Sequence, residues 1–289
     1  MRAAQIFELK TPPRPVEVDR PPVGVSIEAV ALNPLDIAVG SGVFYGGHPP
    51  LPYEPGCEAV GRADDGELVY LFGEGRGISK PGFVVERVEF PSELAIPVPD
   101  GIDPAVAVAA GIAGVAGWVP VAWKANITPD DRVLVLGVTG AVGRIAVQAA
   151  TLLGAAKVVG VGRRELDTIP EAFGGDGFTV CIDAVWGEPL ANALAYAAPH
   201  ARIVHLGQSA APEAPLRSAD VRGKELQILG HSNFALLRDD LRRAYLELLD
   251  HVVAGHIAID VERYELDRVA EAWERQQAGP GGAKVVVTV

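Results

Sequence analysis

The segment that most constrains this chain runs Gly137-Val138-Thr139-Gly140-Ala141-Val142-Gly143. It follows the apolar run Val133-Leu134-Val135-Leu136 and leads into Arg144–Ala150, which reads as a helix. A buried strand, a glycine turn and a helix amino terminus together make a site for a pyrophosphate. Glycines let the backbone approach the ligand, and the free amides with the helix dipole favour its negative charge. Thr139 stands where the usual dinucleotide fingerprint has its second glycine, so the surrounding pattern has to carry the reading. It does so through a second apolar run, Lys157 to Gly162, which ends at Arg163-Arg164. That is about twenty residues past the last glycine, where such a fold reads the adenosine ribose.

A carboxylate at that point would accept from a free ribose 2′-hydroxyl and repel a 2′-phosphate. Two adjacent guanidinium groups suit the phosphate instead, by charge and by their planar donors. The expected cofactor is therefore NADP(H). The alternative for Arg163 and Arg164 is a pair of solvated loop charges.

Composition narrows the class. The 289 residues suggest one large or two modest domains, and 49% hydrophobic against 21% charged residues argues for a substantial core rather than disorder. A formal net charge of −12 argues against nonspecific nucleic-acid binding. No apolar run reads as long enough to span a membrane, and the first residues lack the apolar core of a signal peptide. Cys57 and Cys181 are the only cysteines, too few for a disulfide framework, so a soluble cytoplasmic protein is expected.

The first part of the chain reads as β-rich, with strands at Val23–Ala29, Cys57–Arg62, Leu68–Phe72 and Phe83–Val88 between Pro and Gly clusters. An alanine-rich helical stretch follows from Ala105 to Lys124. Beyond the glycine motif, strands and helices alternate: Val180–Asp183, a helix over Glu188–Ala198, Arg202–Gly207, Glu225–Gly230, and an amphipathic helix over Leu236–Ala254. A helix over Leu266–Gln277 and a strand over Lys284–Val289 complete the chain. Such alternation predicts an α/β fold, a parallel sheet doubly wound by helices.

In this order the features resemble the medium-chain dehydrogenase/reductase superfamily, in its zinc-free quinone oxidoreductase branch. The landmarks are Ala31-Leu-Asn33-Pro34-Leu-Asp36, Ser41-Gly42, Leu51-Pro52-Tyr53-Glu54-Pro55-Gly56-Cys57-Glu58, the glycine motif, and Asp183-Ala-Val-Trp-Gly187. Val204-His-Leu-Gly-Gln208, Gly230-His-Ser-Asn233-Phe234, Ala270-Glu-Ala-Trp273 and Gly281-Gly-Ala-Lys284 follow. The resemblance covers nearly the whole chain. It implies a GroES-like β-barrel domain over residues 1–116, completed by 256–289, a Rossmann NADP-binding domain over 117–255, and an active site in the cleft between them.

The resemblance also assigns residues. In zinc-dependent relatives a cysteine stands at the position of Asn33, a Gly-His-Glu triplet at Gly56-Cys57-Glu58, and a third ligand near Gly111. The residues here leave too few ligands for a catalytic zinc, which wants about three, and none of the six histidines has metal-ligand spacing. No metal is expected. Asn33 is then a candidate to donate its amide to a substrate carbonyl or to orient the nicotinamide ribose, with Asp36 bracing the loop. Tyr45 and Tyr53 are candidate proton donors or barrel-edge rings, Tyr45 lying one residue past the position, Phe44, where related reductases often carry a tyrosine. Water is an equal candidate for the proton.

Gly137, Thr139, Gly140, Ala141, Val142 and Gly143 would face the pyrophosphate, with Gly162, Arg163 and Arg164 at the adenosine ribose. Leu206, Gly207 and Gln208 would lie at the nicotinamide-side ribose, and Ser232, Asn233 and Phe234 beside the nicotinamide, the alternative there being a helix cap. Lys284 would reach a phosphate or the ribose. Phe44, Tyr45, Tyr53, Trp186 and Phe234 would wall an apolar substrate site. Two segments are shorter than in relatives, the turn Ala63–Glu67 and the crossover from Arg164 to Gly177.

The function implied is an NADPH-dependent reductase of quinones or α,β-unsaturated carbonyls, zinc-independent, with a carrier-bound enoyl group as a variant substrate. The alternative is a non-catalytic NADPH-binding or scaffold protein that retains the fold. The expected partners are a small-molecule carbonyl substrate and a second copy, paired through an edge strand at Leu226–Gly230; no nucleic acid and no membrane are expected.

Overall fold

The computed structural model describes residues 1–19 and 21–289. The chain divides into two compact units, Met1–Ile112 with Ile259–Val289, and Ala113–Ala258. The divisions fall at 112/113 and 258/259 rather than at the expected 116/117 and 255/256.

In chain order the first unit contributes strands β1 (Arg2–Gln5), β2 (Arg14–Glu17) and β3 (Val25–Ala31) and helix α1 (Pro34–Gly40). Strands β4 (Glu58–Arg62), β5 (Leu68–Phe72), β6 (Arg87–Val88) and β7 (Ile96–Pro97) and helix α2 (Pro104–Ala109) follow. The second unit contributes α3 (Val115–Val119), β8 (Arg132–Leu136), α4 (Ala141–Leu152), β9 (Lys157–Val161), α5 (Ile169–Phe173) and β10 (Phe178–Asp183). It continues with α6 (Gly187–Ala193), β11 (Ala197–His205), α7 (Ser218–Gly223), β12 (Gln227–Gly230) and α8 (Arg238–Val253). The chain then re-enters the first unit with β13 (Val261–Glu265), α9 (Val269–Ala278) and β14 (Lys284–Thr288).

The first unit is built on a seven-stranded sheet ordered β13-β14-β3-β4-β5-β7, with β6 also on β3. All its pairs are antiparallel except β13 with β14. This is the GroES-like part of the fold. Its core joins Ile6, Val30, Leu32, Leu71 and Phe83 to Trp273 and Val285 from the returning segment. Burying a large aliphatic or aromatic side chain contributes about 1.5–3 kcal/mol, so the last thirty residues are part of this core rather than an appendage.

The second unit is a parallel five-stranded Rossmann sheet ordered β12-β11-β10-β8-β9. The central strands bury apolar runs, Val133–Leu136 in β8 and Val180–Ile182 in β10, as a parallel sheet covered on both faces requires. Numbered along the chain, this is the 2-1-3-4-5 order, with the switch point between the first and third strands. The short crossover explains it: residues between β9 and β10 form only a 3₁₀ turn (Leu166–Thr168) and α5. β9 therefore ends the sheet on one side and β12 on the other.

Some expectations need correction. The strand expected over Phe83–Val88 is regular only at β6, because Val84 O accepts from Ala4 N (2.9 Å) and Val85 N turns back onto Phe83 O (2.7 Å). The helix expected over Glu188–Ala198 stops early. Ala197 pairs with Phe178 in the sheet, and ladder pairing overrides the helix preference of alanine. Finally, Pro104–Ala125 forms one helical stretch long and apolar enough to cross a membrane by length and composition, contrary to the expectation that no run reaches that length. Most of it is buried within the protein, as in a core helix. It kinks at Gly111, whose ψ of −112° lies inside a π-helical turn.

Candidate functional site

The glycine motif begins where β8 ends. Gly137 takes φ +88°, a left-handed conformation that glycine adopts without steric cost, and donates to Val161 O at 3.0 Å. The chain then reverses into α4, with Gly140 at the N-cap and Arg144 N bonded to Gly140 O at 3.1 Å. The amides of Ala141, Val142 and Gly143 have no intrahelical acceptor, as at any helix start. A side-chain carbon at Gly143 would collide with the Gly137 carbonyl, so this glycine is required for the turn to close on the helix. At Gly140 the nearest atom to such a carbon is 3.6 Å away, so the space there is open toward solvent. The resulting cradle fits a pyrophosphate.

Thr139 is exposed, and its methyl lies beside Gly162 at the end of β9. Arg163 and Arg164 are exposed and make no ion pair or hydrogen bond with the described residues. Glu165 is the unforeseen neighbour: its carboxylate accepts from Gly162 N at 2.9 Å and puts a negative charge beside the two guanidinium groups.

The other carboxyl ends of the sheet converge on the same edge. Leu206 N donates to Asp183 O (2.9 Å), Gly207 lies against the Ala184 carbonyl, and Gln208 is exposed. Ser232 opens a 3₁₀ turn without a side-chain cap bond, Asn233 is buried with Oδ1 2.9 Å from His231 Nε2, and Phe234 is exposed. Burial holds the His231 ring below the usual histidine pKa. The second unit thus brings together the glycine turn, Gly162–Arg164 and the ends of β10 and β11.

In the first unit the candidate residues meet differently. Asn33 lies two residues past β3 and is the N-cap of α1, with Pro34 at the first helical position. Its side-chain nitrogen donates to Ala31 O (3.2 Å) and Glu58 Oε1 (2.8 Å), and its Oδ1 accepts from Lys284 Nζ at 2.7 Å. Both amide hydrogens are thereby committed to the interior. Lys284 does not point to a phosphate: only 4% exposed, it also donates to Leu32 O at 2.9 Å. The reason is topological. β14 pairs with β3, and Leu32 N bonds Val285 O (2.9 Å), which sets Lys284 against the loop that follows β3.

Glu58 completes the cluster. Fully buried, it accepts from Asn33, Tyr70 OH (2.9 Å) and Ile112 N (2.6 Å). The kink at Gly111 turns the Ile112 amide inward, and a side-chain carbon at Gly111 would collide with the Glu58 carboxylate. Asp36 braces the loop as expected, accepting from Asn33 N (2.7 Å) and Cys57 N (2.9 Å). Burial pushes the carboxyls of Glu58 and Asp36 up and the Lys284 amine down, and their mutual attraction opposes each shift.

Neither tyrosine joins this cluster. Tyr45 is 97% exposed and rests only on Phe44, with ring centroids 4.5 Å apart. Tyr53 lies in the core, bridged to Ile6, and its hydroxyl is buried without a hydrogen-bond partner. Burial, with Asp36 nearby, drives its pKa up, so it stays a neutral phenol.

A family model described as zinc-binding dehydrogenase matches residues 153–287. The human quinone oxidoreductase is 23% identical over 97% of this chain and 95% of its own length. A phenolphthiocerol/phthiocerol polyketide synthase subunit of Mycobacterium tuberculosis is 25% identical over 92% of this chain. The match takes up only 13% of that much longer protein. Among solved structures, the quinone oxidoreductase from Thermus thermophilus, also solved with NADPH, aligns over 100% of both chains with a TM-score of 0.84 at 24% identity. That likeness establishes the fold.

The family description raises the question of zinc, and the donor set does not fit one. Among the described residues no three His, Cys, Asp or Glu side chains gather where a metal could be held. Cys57 is buried and its thiol is pushed up by burial, so it stays protonated, Glu58 is consumed by three donors, and Gly111 has no room for a ligand. The cation in this cluster is the ammonium of Lys284.

Proposed function

Because the chain belongs to the medium-chain dehydrogenase/reductase superfamily, in its quinone-oxidoreductase-like branch, we propose that it is a zinc-independent, NADPH-dependent reductase of quinones or α,β-unsaturated carbonyls. The observation that carries the reading is the glycine turn at the end of β8, with its open position at Gly140 and free helix amides, beside two unpartnered arginines at the end of β9. The free amides of Ala141 and Val142, beside the open position at Gly140, hold the pyrophosphate, and Arg163 and Arg164 hold the 2′-phosphate. Leu206, Gly207 and Gln208 line the nicotinamide-side ribose, and Ser232, Asn233 and Phe234 flank the nicotinamide. The cofactor, when bound, supplies the hydride; the protein orients it and excludes water.

The similarity to a polyketide synthase subunit widens the substrate class to enoyl groups on a carrier. Lys284, Glu58 and Asn33 act as an internal brace, so the proton reaches the product from solvent. We further place the protein in the cytoplasm as a homodimer paired through β12, an exposed edge strand in which Ile228 is 38% exposed.

One observation favours a second reading, a non-catalytic NADPH-binding protein. Asn33 has no free amide hydrogen, Tyr53 is buried, and Tyr45 is unsupported in solvent. Following NADPH absorbance on addition of 1,4-benzoquinone or an enone separates the two. Substrate-dependent oxidation supports the reductase; tight NADPH binding without turnover on either class supports the alternative.

A further inference from the structure

Asp183 and His205 are register partners at the carboxyl ends of β10 and β11. Asp183 is fully buried: Oδ1 accepts from Val185 N (3.0 Å) and Trp186 N (2.9 Å), and Oδ2 lies 3.0 Å from His205 Nδ1. A carboxylate only accepts, so Nδ1 carries the ring proton and donates it. In the neutral ring Nε2 is then a bare lone pair, and it has no partner among the described residues.

The ring cannot turn away from this orientation. Trp186 lies over one face with centroids 4.1 Å apart, and its backbone takes φ +59°, a left-handed conformation rare for a bulky residue, to bring the indole there. The imidazole remains 28% exposed. The pair borders the glycine turn: a side-chain carbon at Gly137 would lie 2.9 Å from Val185 Cγ1. Leu136, the last residue before that turn, is itself the register partner of Asp183. In open α/β sheets ligands settle at this carboxyl edge, beside the switch point that here falls between β8 and β10.

We propose that His205 is a cofactor-binding residue whose Nε2 accepts a hydrogen bond from a ribose hydroxyl of the dinucleotide, with Asp183 fixing the tautomer and Trp186 fixing the ring plane. The assignment rests on the NADPH reading above. A fixed acceptor held in a polar crevice suits a hydroxyl donor. A phosphate, itself an acceptor, would be refused by the same nitrogen.

The test is NADPH fluorescence titration of the full chain and three variants, each first checked for a wild-type-like unfolding transition. His205→Phe removes the acceptor and weakens NADPH about tenfold, the worth of one hydrogen bond to a neutral group. His205→Gln retains an acceptor oxygen and stays within about threefold of the parent. Asp183→Asn leaves the ring in place but reverses it. The amide oxygen must serve Val185 N and Trp186 N, so the amide nitrogen donates to Nδ1 and Nε2 becomes the N–H. A ribose hydroxyl, which also accepts, keeps its bond, and the affinity stays within about threefold of the parent, whereas a phosphate would be held more tightly. Tighter binding by Asp183→Asn therefore answers the question even if His205→Phe does not fold. Parent-like NADPH affinity in folded His205→Phe, or tighter binding in Asp183→Asn, overturns the assignment while leaving the NADPH reading intact. A parent chain that binds no NADPH overturns both.

Discussion

Lys284 Nζ lies 2.7 Å from Asn33 Oδ1, joining residues 251 positions apart in the chain. This contact closes a buried cluster with Asp36 and Glu58 in which one ammonium faces two carboxyls. It explains why neither Asn33 nor Lys284 is available to a ligand.

Removing one member of such a cluster leaves buried charge uncompensated. Lys284→Met is expected to destabilise folding by about 3–5 kcal/mol. The double variant with Glu58→Gln should lose less than the sum of the two single losses, because the charges are removed together. Denaturant unfolding of the four proteins measures this coupling; strict additivity would mean that the two residues do not interact.

The same burial sets a pH dependence. The Glu58 pKa is raised above its ordinary 4.5, so the folded state holds a proton that the unfolded state releases. Stability therefore falls as pH rises from about 4.5 through the raised value. Glu58→Gln removes this slope, and the difference in unfolding free energy between parent and variant should shrink as pH rises through that window. Asp36, also raised, keeps its own contribution in both proteins. A difference that is flat, or grows with pH, contradicts the assignment.

The two glycines of the turn should separate fold from ligand. Gly143→Ala forces a carbon onto the Gly137 carbonyl and should cost about 1–3 kcal/mol of stability. Gly140→Ala meets open space at an ordinary φ of −95° and should fold like the parent, yet weaken NADPH about tenfold by obstructing the pyrophosphate. Calorimetry and fluorescence titration read the two effects independently.

Arg163→Ala with Arg164→Ala should weaken NADPH about 10- to 100-fold and leave NADH unchanged, the worth of about one charged hydrogen bond (about 1.5–3 kcal/mol) shared between two guanidinium groups exposed to water. Glu165→Gln should strengthen NADPH a few-fold, because the carboxylate now on Gly162 N repels the phosphate. Equal losses for both cofactors would show that the arginines do not contact the 2′-phosphate.

What the sequence disclosed and what it hid divide along physical lines. The glycine turn was legible because every part of it lies within a few residues of the next, and Leu68–Phe72 was read to the residue because both its ends are marked by turns. Asp36 was placed as a brace by the family resemblance alone, and its partner Asn33 proves to lie three positions away. Lys284 could not be placed, since its partners come from β14 pairing with β3. Asp183 and His205 stood among the family landmarks, but only the register of β10 on β11 shows that they touch. Strands β1 and β2 are short, and neither alternates: β1 buries the consecutive Ala3 and Ala4, and β2 is largely exposed, so no period-two pattern marks them.

The central claim is that the glycine turn and the two arginines form an NADP(H) site. Parallel fluorescence titrations of the purified protein with NADPH and NADH test it most directly. The account predicts micromolar binding of NADPH and an affinity for NADH weaker by about tenfold or more. Equal binding would contradict the phosphate site at Arg163 and Arg164, and binding of neither would contradict the cofactor site itself.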